Sequence, residues 1–316
     1  MRHSDWGAAS PRWAGVRSET VIVRGHTVHY LRAGRGSPAH LLLHPLGGSA
    51  TLWMDLIPHL AALGQVIVPD LPGTVFGHTD LPHPRAARLA PNIRFVGAFA
   101  QELGLEKVTA HGWSAGGMLA TMVAAASPEL VGRLVLATPA LPAVVPEEEA
   151  RWWRTTGRLV LSAGPPVARA LARVAGRAVL EQKVRTYADP ATLTGGARLL
   201  GGDLTRLSPE MTALLVDELR AARPARLADA ATAFASVMRA VFVDPEPARA
   251  AIAAVAAPAL VLWGGADRVE VDGVRADLAV RRPDWVQHVI PTAGHAFPLE
   301  TPAEYAAAVA GWSDSV

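Results

Sequence analysis

Short apolar runs alternate along this chain with longer segments that are rich in alanine and leucine. Examples of the short runs are residues 40–44 (HLLLH), 65–69 (QVIVP) and 259–263 (ALVLW). Runs of this length are typical of strands, and their continuous apolar character predicts that both faces are buried. Buried strands that alternate with helices predict an α/β protein with a mostly parallel sheet covered by helices on both faces.

The same pattern assigns elements along most of the chain. The predicted strands are residues 19–24, 27–32, 40–44, 65–69, 107–110, 133–137, 259–263 and 285–290. The predicted helices are residues 51–63, 91–103, 114–126, 272–280 and 302–312. Gly25 lies between the first two predicted strands, so we expect a hairpin turn there.

Residues 141–244 interrupt this alternation. Strand-like runs nearly vanish there, and arginine, alanine and leucine recur at helical spacing between glycine and proline breaks. We therefore predict a helical cap domain at residues 141–244. Residues 1–140 and 245–316 are predicted to form one core domain around it.

Composition limits the functions that this chain can have. Half of the 316 residues are hydrophobic and 18% are charged, which is typical of a folded globular protein. The chain has no cysteine, which excludes disulfides, thiolate zinc sites and cysteine nucleophiles. The net charge is only +2 and both signs are interspersed, so we expect no nucleic-acid partner.

The apolar runs of the sequence also indicate where in the cell the protein is expected. Residues 1–15 lack the apolar stretch of a signal peptide. The longest apolar run, at residues 251–266, is interrupted by Pro258 and is too short to cross a bilayer. We therefore expect a cytoplasmic protein without a membrane partner.

Residues 107–118 (KVTAHGWSAGGM) carry the most informative chemistry. They contain the pattern G-x-S-x-G centred on Ser114, with a predicted strand before it and a predicted helix after it. This setting predicts a nucleophile elbow, a sharp turn that exposes a serine at the edge of a sheet. The start of the helix would then direct N–H groups and positive charge toward the site. The alternative is a structural serine in a glycine-rich turn.

A serine hydroxyl is a weak nucleophile at neutral pH, so it needs a base that is oriented by an acid. After a nucleophile elbow, the expected chain order is serine, acid and histidine. Two histidines follow Ser114. His288 lies inside a predicted strand, whereas His295 lies just beyond it, so His295 is the predicted base.

The acid should follow an earlier strand of the same region. Asp267 comes shortly after the predicted strand at 259–263 and two glycines. Because catalytic groups gather at the carboxyl ends of such strands, Asp267 is the predicted acid. A turn residue or helix cap is the competing interpretation. The other carboxylates considered for this role are Glu270, Asp272 and Asp244.

The oxyanion of an acyl-transfer reaction needs two backbone donors. One should be the N–H of Ala115, directly after the predicted nucleophile, and the other should come from the loop after the third strand. Pro45 in that loop has no N–H, so Leu46 is the best donor there and Gly47 the second.

Two further side chains lie beside these positions in the sequence. His44 ends a predicted strand above the site, and Trp113 precedes the predicted nucleophile. Both are candidates for shaping the substrate pocket. Core packing explains Trp113 equally well.

Five motifs occur here in the order found in the α/β-hydrolase superfamily, and from about residue 19 to 312 the chain resembles its lid-bearing esterase branch. The motifs are residues 44–49 (HPLGGS), 66–73 (VIVPDLPG), 112–117 (GWSAGG), 260–269 (LVLWGGADRV) and 293–302 (AGHAFPLETP). The resemblance implies the α/β-hydrolase fold with a helical cap. It also implies Ser114 as nucleophile, Asp267 as acid and His295 as base, with Leu46 and Ala115 as the oxyanion hole.

Two positions bear on how far the resemblance extends. The oxyanion loop of the superfamily usually reads His-Gly, whereas here it reads His44-Pro45. Dehalogenases and epoxide hydrolases of the superfamily use an aspartate nucleophile, whereas this chain has Ser114. Those two chemistries are therefore disfavoured.

Together these features predict a serine hydrolase that acts on a carboxylic ester, lactone or thioester of a small to mid-sized apolar molecule. No cofactor or metal is expected. The same triad could serve C–C hydrolysis, perhydrolysis or acyl transfer, and a small-molecule receptor on this scaffold is a further alternative. A dinucleotide-binding protein is disfavoured because residues 44–49 lack G-x-G-x-x-G. The sequence leaves a homodimer open.

Overall fold

The computed structural model describes residues 3–80, 83–189, 201–269 and 272–315. Its strands are β1 (Arg17–Val23), β2 (His26–Ala33), β3 (Ala39–Leu43), β4 (Gln65–Pro69), β5 (Val108–Trp113), β6 (Val131–Ala137), β7 (Ala259–Gly264) and β8 (Val286–Ile290). They form one eight-stranded sheet in the order β1-β2-β4-β3-β5-β6-β7-β8. The strands from β4 to β8 along this order pair in parallel, which confirms the predicted mostly parallel sheet.

The first two strands form the antiparallel edge of this sheet. β1 pairs with β2, and β2 pairs antiparallel with β4. Arg24 and Gly25 connect β1 to β2 with φ of 49° and 82°. Two consecutive positive φ values match the tight turn that follows the twist of a hairpin, so the predicted hairpin is confirmed.

The central strands bury side chains on both faces. In β7, Leu260 and Leu262 join one hydrophobic cluster, whereas Val261 and Trp263 join the other. This is the alternation that a strand's period of two residues imposes. The two clusters lie on opposite sides of the sheet, so the helices cover both faces.

The helices cover the sheet and form the segment between β6 and β7. They are α1 (Ile57–Ala61), α2 (Leu89–Glu102), α3 (Ala115–Ala126), α4 (Glu147–Trp152), α5 (Arg158–Ala188), α6 (Pro209–Ala221), α7 (Ala225–Met238), α8 (Glu246–Ala254), α9 (Asp272–Arg281), α10 (Phe297–Glu300) and α11 (Pro302–Ser313). No described helix is long and apolar enough to cross a bilayer.

The predicted helix at 51–63 is wrong as one continuous element. The structure has a 3₁₀ turn at Ala50–Trp53 and a separate short helix, α1, at Ile57–Ala61. Pro58 has no N–H to donate to the preceding turn, so it is accommodated in the first turn of a new helix.

The described residues of 141–189 and 201–244 are called the cap here. They are mainly helical, and α5 packs against both α6 and α7. Gly201 forms an isolated antiparallel bridge with Asp267, which joins the cap to the loop after β7. The domain boundaries assigned from the sequence stay a prediction.

Candidate active site

Ser114 lies between β5 and α3 in a strained backbone conformation, with φ 53° and ψ −115°. A positive φ is rare for a residue with a side chain and marks the sharp turn expected of a nucleophile elbow. The flanking glycines permit this turn. A Cβ on Gly112 would collide with Gly116 O, and a Cβ on Gly116 would collide with Leu43 O.

Asp267 and His295 lie in the loops that follow two adjacent strands and form a part-buried hydrogen-bonded pair. The Asp267 Oδ2 atom lies 2.9 Å from Nδ1 of His295. Asp267 follows β7 and His295 follows β8, two neighbours in the sheet. Among the described residues, only Nδ1 of the His295 ring is hydrogen-bonded, and Nε2 has no hydrogen-bond partner.

Thr138 is a second partner of the Asp267 carboxylate. Its hydroxyl donates to Asp267 Oδ2 over 2.5 Å and lies 3.3 Å from Nδ1 of His295. Thr138 directly follows β6, the strand between those that carry Ser114 and Asp267, and has φ 40°. The strained backbone of Thr138 therefore lies between the strand that leads to Ser114 and the strand that leads to Asp267.

Several hydrogen bonds keep Asp267 ionised. Burial by itself raises the pKa of the Asp267 carboxyl. Hydrogen bonds from His295, Thr138 and the Val269 N–H outweigh burial, so this pKa lies below its ordinary value. A carboxylate that stays ionised can orient a histidine and stabilise its positive charge.

The loop that carries His295 is fixed beside the elbow. The indole N–H of Trp113 donates to the backbone oxygen of His295 over 2.9 Å. Glu300 Oε2 accepts from Gly294 N at 3.2 Å and from Asp203 N at 2.9 Å, which ties this loop to the cap. Among the described residues, the Ser114 hydroxyl forms no hydrogen bond with the His295 ring.

The cap contacts this region through two glycines with positive φ. Gly201 pairs with Asp267 and has φ 73°, and a Cβ there would collide with Ala266 O. Gly202 has φ 69°, and a Cβ there would collide with Gly294 N. The backbone of the cap therefore lies directly against the loops that carry Asp267 and His295.

The loop after β3 makes a tight four-residue turn from Pro45 to Gly48. Gly48 N donates to Pro45 O over 3.1 Å, and Gly47 has φ 70°, as the third residue of a type II turn requires. His44 supports this loop. Its Nε2 accepts from Leu71 N at 3.0 Å, so the proton lies on Nδ1, which donates to Pro45 O at 2.9 Å.

His44 is a structural residue of the loop rather than a free base. Both ring nitrogens are engaged, and burial lowers the pKa of its imidazole. Trp113 packs edge-on against Trp53 in the core, with its N–H on the His295 loop. Of the two predicted pocket residues, His44 lines the cleft described next, and Trp113 holds the neighbouring loop.

An open cleft lies beside the start of α3, where Ala115 and Gly116 line it, whereas Ser114, Asp267 and His295 are not among its lining residues. Leu46 and Ala115, the two predicted oxyanion donors, both line it. The cavity volume of the cleft is about 50 Å³, so the cleft is narrow. Its apolar walls come from the core and from α7. They include Leu71, Leu89, Leu119, Ala233 and Val237.

A buried carboxylate fixes the segments around the cleft. Asp70 accepts hydrogen bonds from His29 Nδ1 at 2.7 Å, Ala50 N at 2.7 Å and His78 N at 2.8 Å. Burial alone would raise the pKa of Asp70, but these donors lower it well below its ordinary value. Glu218 of α6 adds a tie from the cap, because it accepts from Thr51 Oγ1 at 2.7 Å.

Asp244, an alternative acid whose side chain the structure describes, is engaged away from His295. Asp244 forms ion pairs with Arg158 at 3.0 Å and Arg239 at 3.6 Å. Glu270 lies outside the described residues, as does the side chain of Asp272. The rejected histidine, His288, lies on β8 and is exposed.

Sequence analysis missed Thr138, Glu300 and Asp70 as parts of this site. Asp70 lies inside the motif at residues 66–73 and Glu300 inside the motif at residues 293–302, and this placement could have identified both as residues near the site. Thr138 had only its place after a strand as a signal. Within the described residues, no three His, Asp or Glu side chains gather as a metal site requires.

Comparison with known proteins finds one family model that spans most of the chain. Residues 41–308 match the model described as the alpha/beta hydrolase family. A thermophilic esterase from Thermogutta terrifontis superposes with a TM-score of 0.69 at 21% identity, covering 95% of this chain and 98% of the esterase. This likeness concerns the fold.

Two curated relatives are similar over shorter stretches. A haloalkane dehalogenase from Mesorhizobium japonicum is 33% identical over 118 residues, which is 37% of this chain and 37% of that protein. A 2-hydroxy-6-oxononadienedioate/2-hydroxy-6-oxononatrienedioate hydrolase from Pseudomonas putida is 33% identical over 133 residues, which is 41% of this chain and 45% of that protein. The chain thus spans less than half the length of either relative.

Proposed function

Because the chain belongs to the alpha/beta hydrolase family, we propose that it is a serine hydrolase that cleaves a carboxylic ester, lactone or thioester. The observation that carries this proposal is the Asp267–His295 hydrogen bond at the sheet edge where Ser114 occupies its strained turn. An ionised acid, an oriented histidine and a half-buried serine at a sharp turn are the three parts proposed for acyl-transfer catalysis here.

In the proposed mechanism, Ser114 Oγ attacks the carbonyl carbon while its proton passes to Nε2 of His295. Asp267 stabilises the imidazolium through Nδ1. The N–H groups of Ala115 and Leu46 stabilise the oxyanion, and each such donor is worth about 3 kcal/mol. His295 then protonates the leaving group, and it later activates a water that releases the acyl group from Ser114.

The hydrogen bond between Ser114 and His295 is expected to form when substrate occupies the cleft. Catalytic hydrogen bonds are often long without substrate and shorten in the reactive complex. Thr138 and Trp113 restrain the Asp267–His295 pair, so the adjustment falls mainly on the Ser114 side chain.

The cleft supports a small acyl group of apolar character. Its walls are mostly aliphatic, and its narrow interior favours a short acyl chain over a long one. The leaving group would extend toward the open side of the cleft. The name of the Mesorhizobium relative does not carry over, because dehalogenases of this superfamily use aspartate where this chain has Ser114.

A fluorophosphonate tests the proposal, because it forms a covalent adduct only with an activated serine. The protein is exposed to it and weighed intact, beside the variants Ser114→Ala and Ser127→Ala and heat-denatured protein. Ser114 directly precedes α3 and Ser127 directly follows it, so Ser127 is the matched control at the other end of the same helix. We expect one adduct on the wild type and on Ser127→Ala, and none on the other two samples.

A panel of p-nitrophenyl esters of increasing acyl length, lactones and thioesters then gives the substrate class. The panel includes 2-hydroxy-6-oxononadienedioate, for which the Pseudomonas relative is named. We expect the fastest turnover with short-chain esters. An adduct that persists in Ser114→Ala, or a folded wild type that forms none, would contradict the proposal. If the dienedioate alone were turned over, the proposed reaction would change from ester hydrolysis to the reaction for which that relative is named.

A further inference from the structure

Helix α5 of the cap presents a band of aliphatic side chains to solvent. The band, called the α5 stripe here, consists of Leu159, Val160, Val167, Leu171 and Val174. Leu171 is 60% exposed and Val174 is 90% exposed. On a regular helix of 3.6 residues per turn these side chains would fall within about a third of the circumference and extend for roughly 22 Å. Pro165 and Pro166 lie inside the helix between Val160 and Val167, so the regular spacing applies most directly to Val167, Leu171 and Val174.

The α5 stripe lies opposite the face through which α5 packs on the protein. The buried residues of the helix are Leu161, Ala172, Gly176 and Leu180. A Cβ on Gly176 would lie only 2.8 Å from the side chain of Pro224, so this face is in close contact with the cap. The helix is therefore apolar on two sides, and an exposed apolar band of this length marks an interaction surface.

The charges of α5 define the chemistry of the partner. The helix has six basic residues and one acidic residue, a formal charge of +5. The basic residues are Arg158, Arg169, Arg173, Arg177, Lys183 and Arg185, and the acidic residue is Glu181.

Nearby acidic residues only partly offset this charge. Arg158 pairs with Asp244 and Arg177 pairs with Glu181, both in exposed ion pairs. Asp229 of α7 lies near Arg169. The acidic residues of α4, at 147–149, come before the N-terminal end of the stripe. The half of α5 that follows Val167 therefore keeps a basic border beside its apolar band.

We propose that the α5 stripe docks on an anionic lipid surface. An amphipathic helix with an apolar face and basic flanks binds in the plane of a membrane, with its aliphatic side chains below the headgroups and its cations among the phosphates. Two α5 helices facing each other would bring two charges of +5 together, so a second copy of the chain fits this surface less well.

This proposal departs from the expectation of no membrane partner. That expectation rested on the length of the apolar runs in the sequence, whereas an interfacial helix is too polar to contain a run long enough to cross a bilayer. Docking would place α7 between the lipid and the core, because α5 packs on α7. The cleft walls Ala233 and Val237 belong to α7. The lipid surface would thus lie above the roof of the cleft.

The test is co-sedimentation of the full chain with vesicles of phosphatidylcholine alone and of phosphatidylcholine mixed with phosphatidylglycerol. One variant combines Val167→Asn, Leu171→Gln and Val174→Gln, and a second combines Arg173→Gln with Arg177→Gln. Val280→Gln on α9 is the matched control, because Val280 is 82% exposed but lies on the core. Thermal unfolding of each variant verifies the fold.

We expect binding to the mixed vesicles only, and its loss at high salt. The apolar variant should bind roughly tenfold more weakly or worse, the arginine variant severalfold more weakly, and Val280→Gln like the wild type. No binding to mixed vesicles, or equal binding by the apolar variant, would overturn the proposal. Sedimentation velocity is run in parallel. Dimers that the apolar variant abolishes, without any lipid binding, would assign the stripe to a second copy. None of these outcomes depends on hydrolase activity.

Discussion

The core and the cap differ in where they depart from apolar residues inside and polar residues outside: the core buries a polar network, and the cap exposes an aliphatic band. In the core, Asp70 is 1% exposed and accepts three hydrogen bonds, and His40, His111 and Tyr305 form a buried polar chain. In the cap, Val174 is 90% exposed. A buried polar group with partners is explained by contacts within the chain, whereas an exposed aliphatic band needs a partner outside it. Substitutions in the two regions should therefore differ in kind.

The largest effect is expected from Ser114→Ala, which removes the proposed nucleophile at the edge of the core. Ester hydrolysis should fall by about 10⁴-fold or more. The free energy of unfolding should change by less than about 0.5 kcal/mol, because the backbone turn is kept. Steady-state kinetics and urea unfolding measure the two quantities, with Ser127→Ala as the control. A loss below tenfold would contradict the assigned role.

Glu300→Ala should be the most destabilising of these changes. Glu300 is buried and accepts from the N–H groups of Gly294 and Asp203, which would lose their partner. Two unsatisfied donors should cost about 3 kcal/mol in the free energy of unfolding. Urea unfolding measures this cost, and Glu304→Ala on the exposed side of α11 is the matched control. Equal stability of the two variants would show that the hydrogen bonds of Glu300 between cap and core add nothing to the free energy of unfolding.

Acid should destabilise the core through its buried histidines. Burial, aided by the nearby charge of Arg133, lowers the pKa of His40 to about 4. Below a pH of about 6.5 the unfolded chain gains a proton at this histidine that the native chain does not, so stability falls as pH falls toward 4. His111, which hydrogen-bonds His40 at 2.9 Å, also has a pKa well below its ordinary value.

The loss from His40 between pH 7 and pH 5 should be on the order of 2 kcal/mol. Urea unfolding at the two pH values measures it. In His40→Gln the difference between the two pH values should shrink, since one of the two histidines is gone. An unchanged difference would assign the acid sensitivity to other groups.

Thr138→Val should lower kcat by about tenfold and leave KM nearly unchanged. The substitution removes the hydrogen bond to Asp267 Oδ2 and keeps the shape of the side chain, and a bond to a charged group is worth about 1.5 kcal/mol or more. Thr138→Ser keeps the hydroxyl and should restore kcat. If Thr138→Ser were as slow as Thr138→Val, Thr138 would act by packing rather than by positioning Asp267.

The smallest effect on stability is expected from Val174→Ser in the α5 stripe. The side chain is already in water, so the free energy of unfolding should change by less than about 0.5 kcal/mol. Thermal unfolding measures this change. A destabilisation above 1 kcal/mol, on the order of a lost core methylene, would mean that the stripe packs within the chain.

Local patterns in the sequence predicted much of the fold and of the candidate site. Ser114 was predicted from glycines that the turn requires, and the hairpin at Gly25 was predicted from one turn residue. The predicted helix at 51–63 was wrong because Pro58 divides it. Thr138 was missed because its contact with Asp267 joins residues 129 positions apart. Such contacts depend on which strands are neighbours in the sheet. The spacing of apolar residues along the sequence does not predict that order.

Gly201 and Gly202 bear on how the cap could be exchanged between related proteins. Most of the cap is helix against helix, a type of packing that tolerates many sequences of similar volume. At these two positions the chain crosses the loops of Asp267 and His295 with no room for a Cβ. A transplanted cap would therefore need glycines at the same crossing, whatever sequence its helices carried. Exchange of caps by recombination is therefore restricted mainly at these two glycines, where the backbone leaves no space for a side chain.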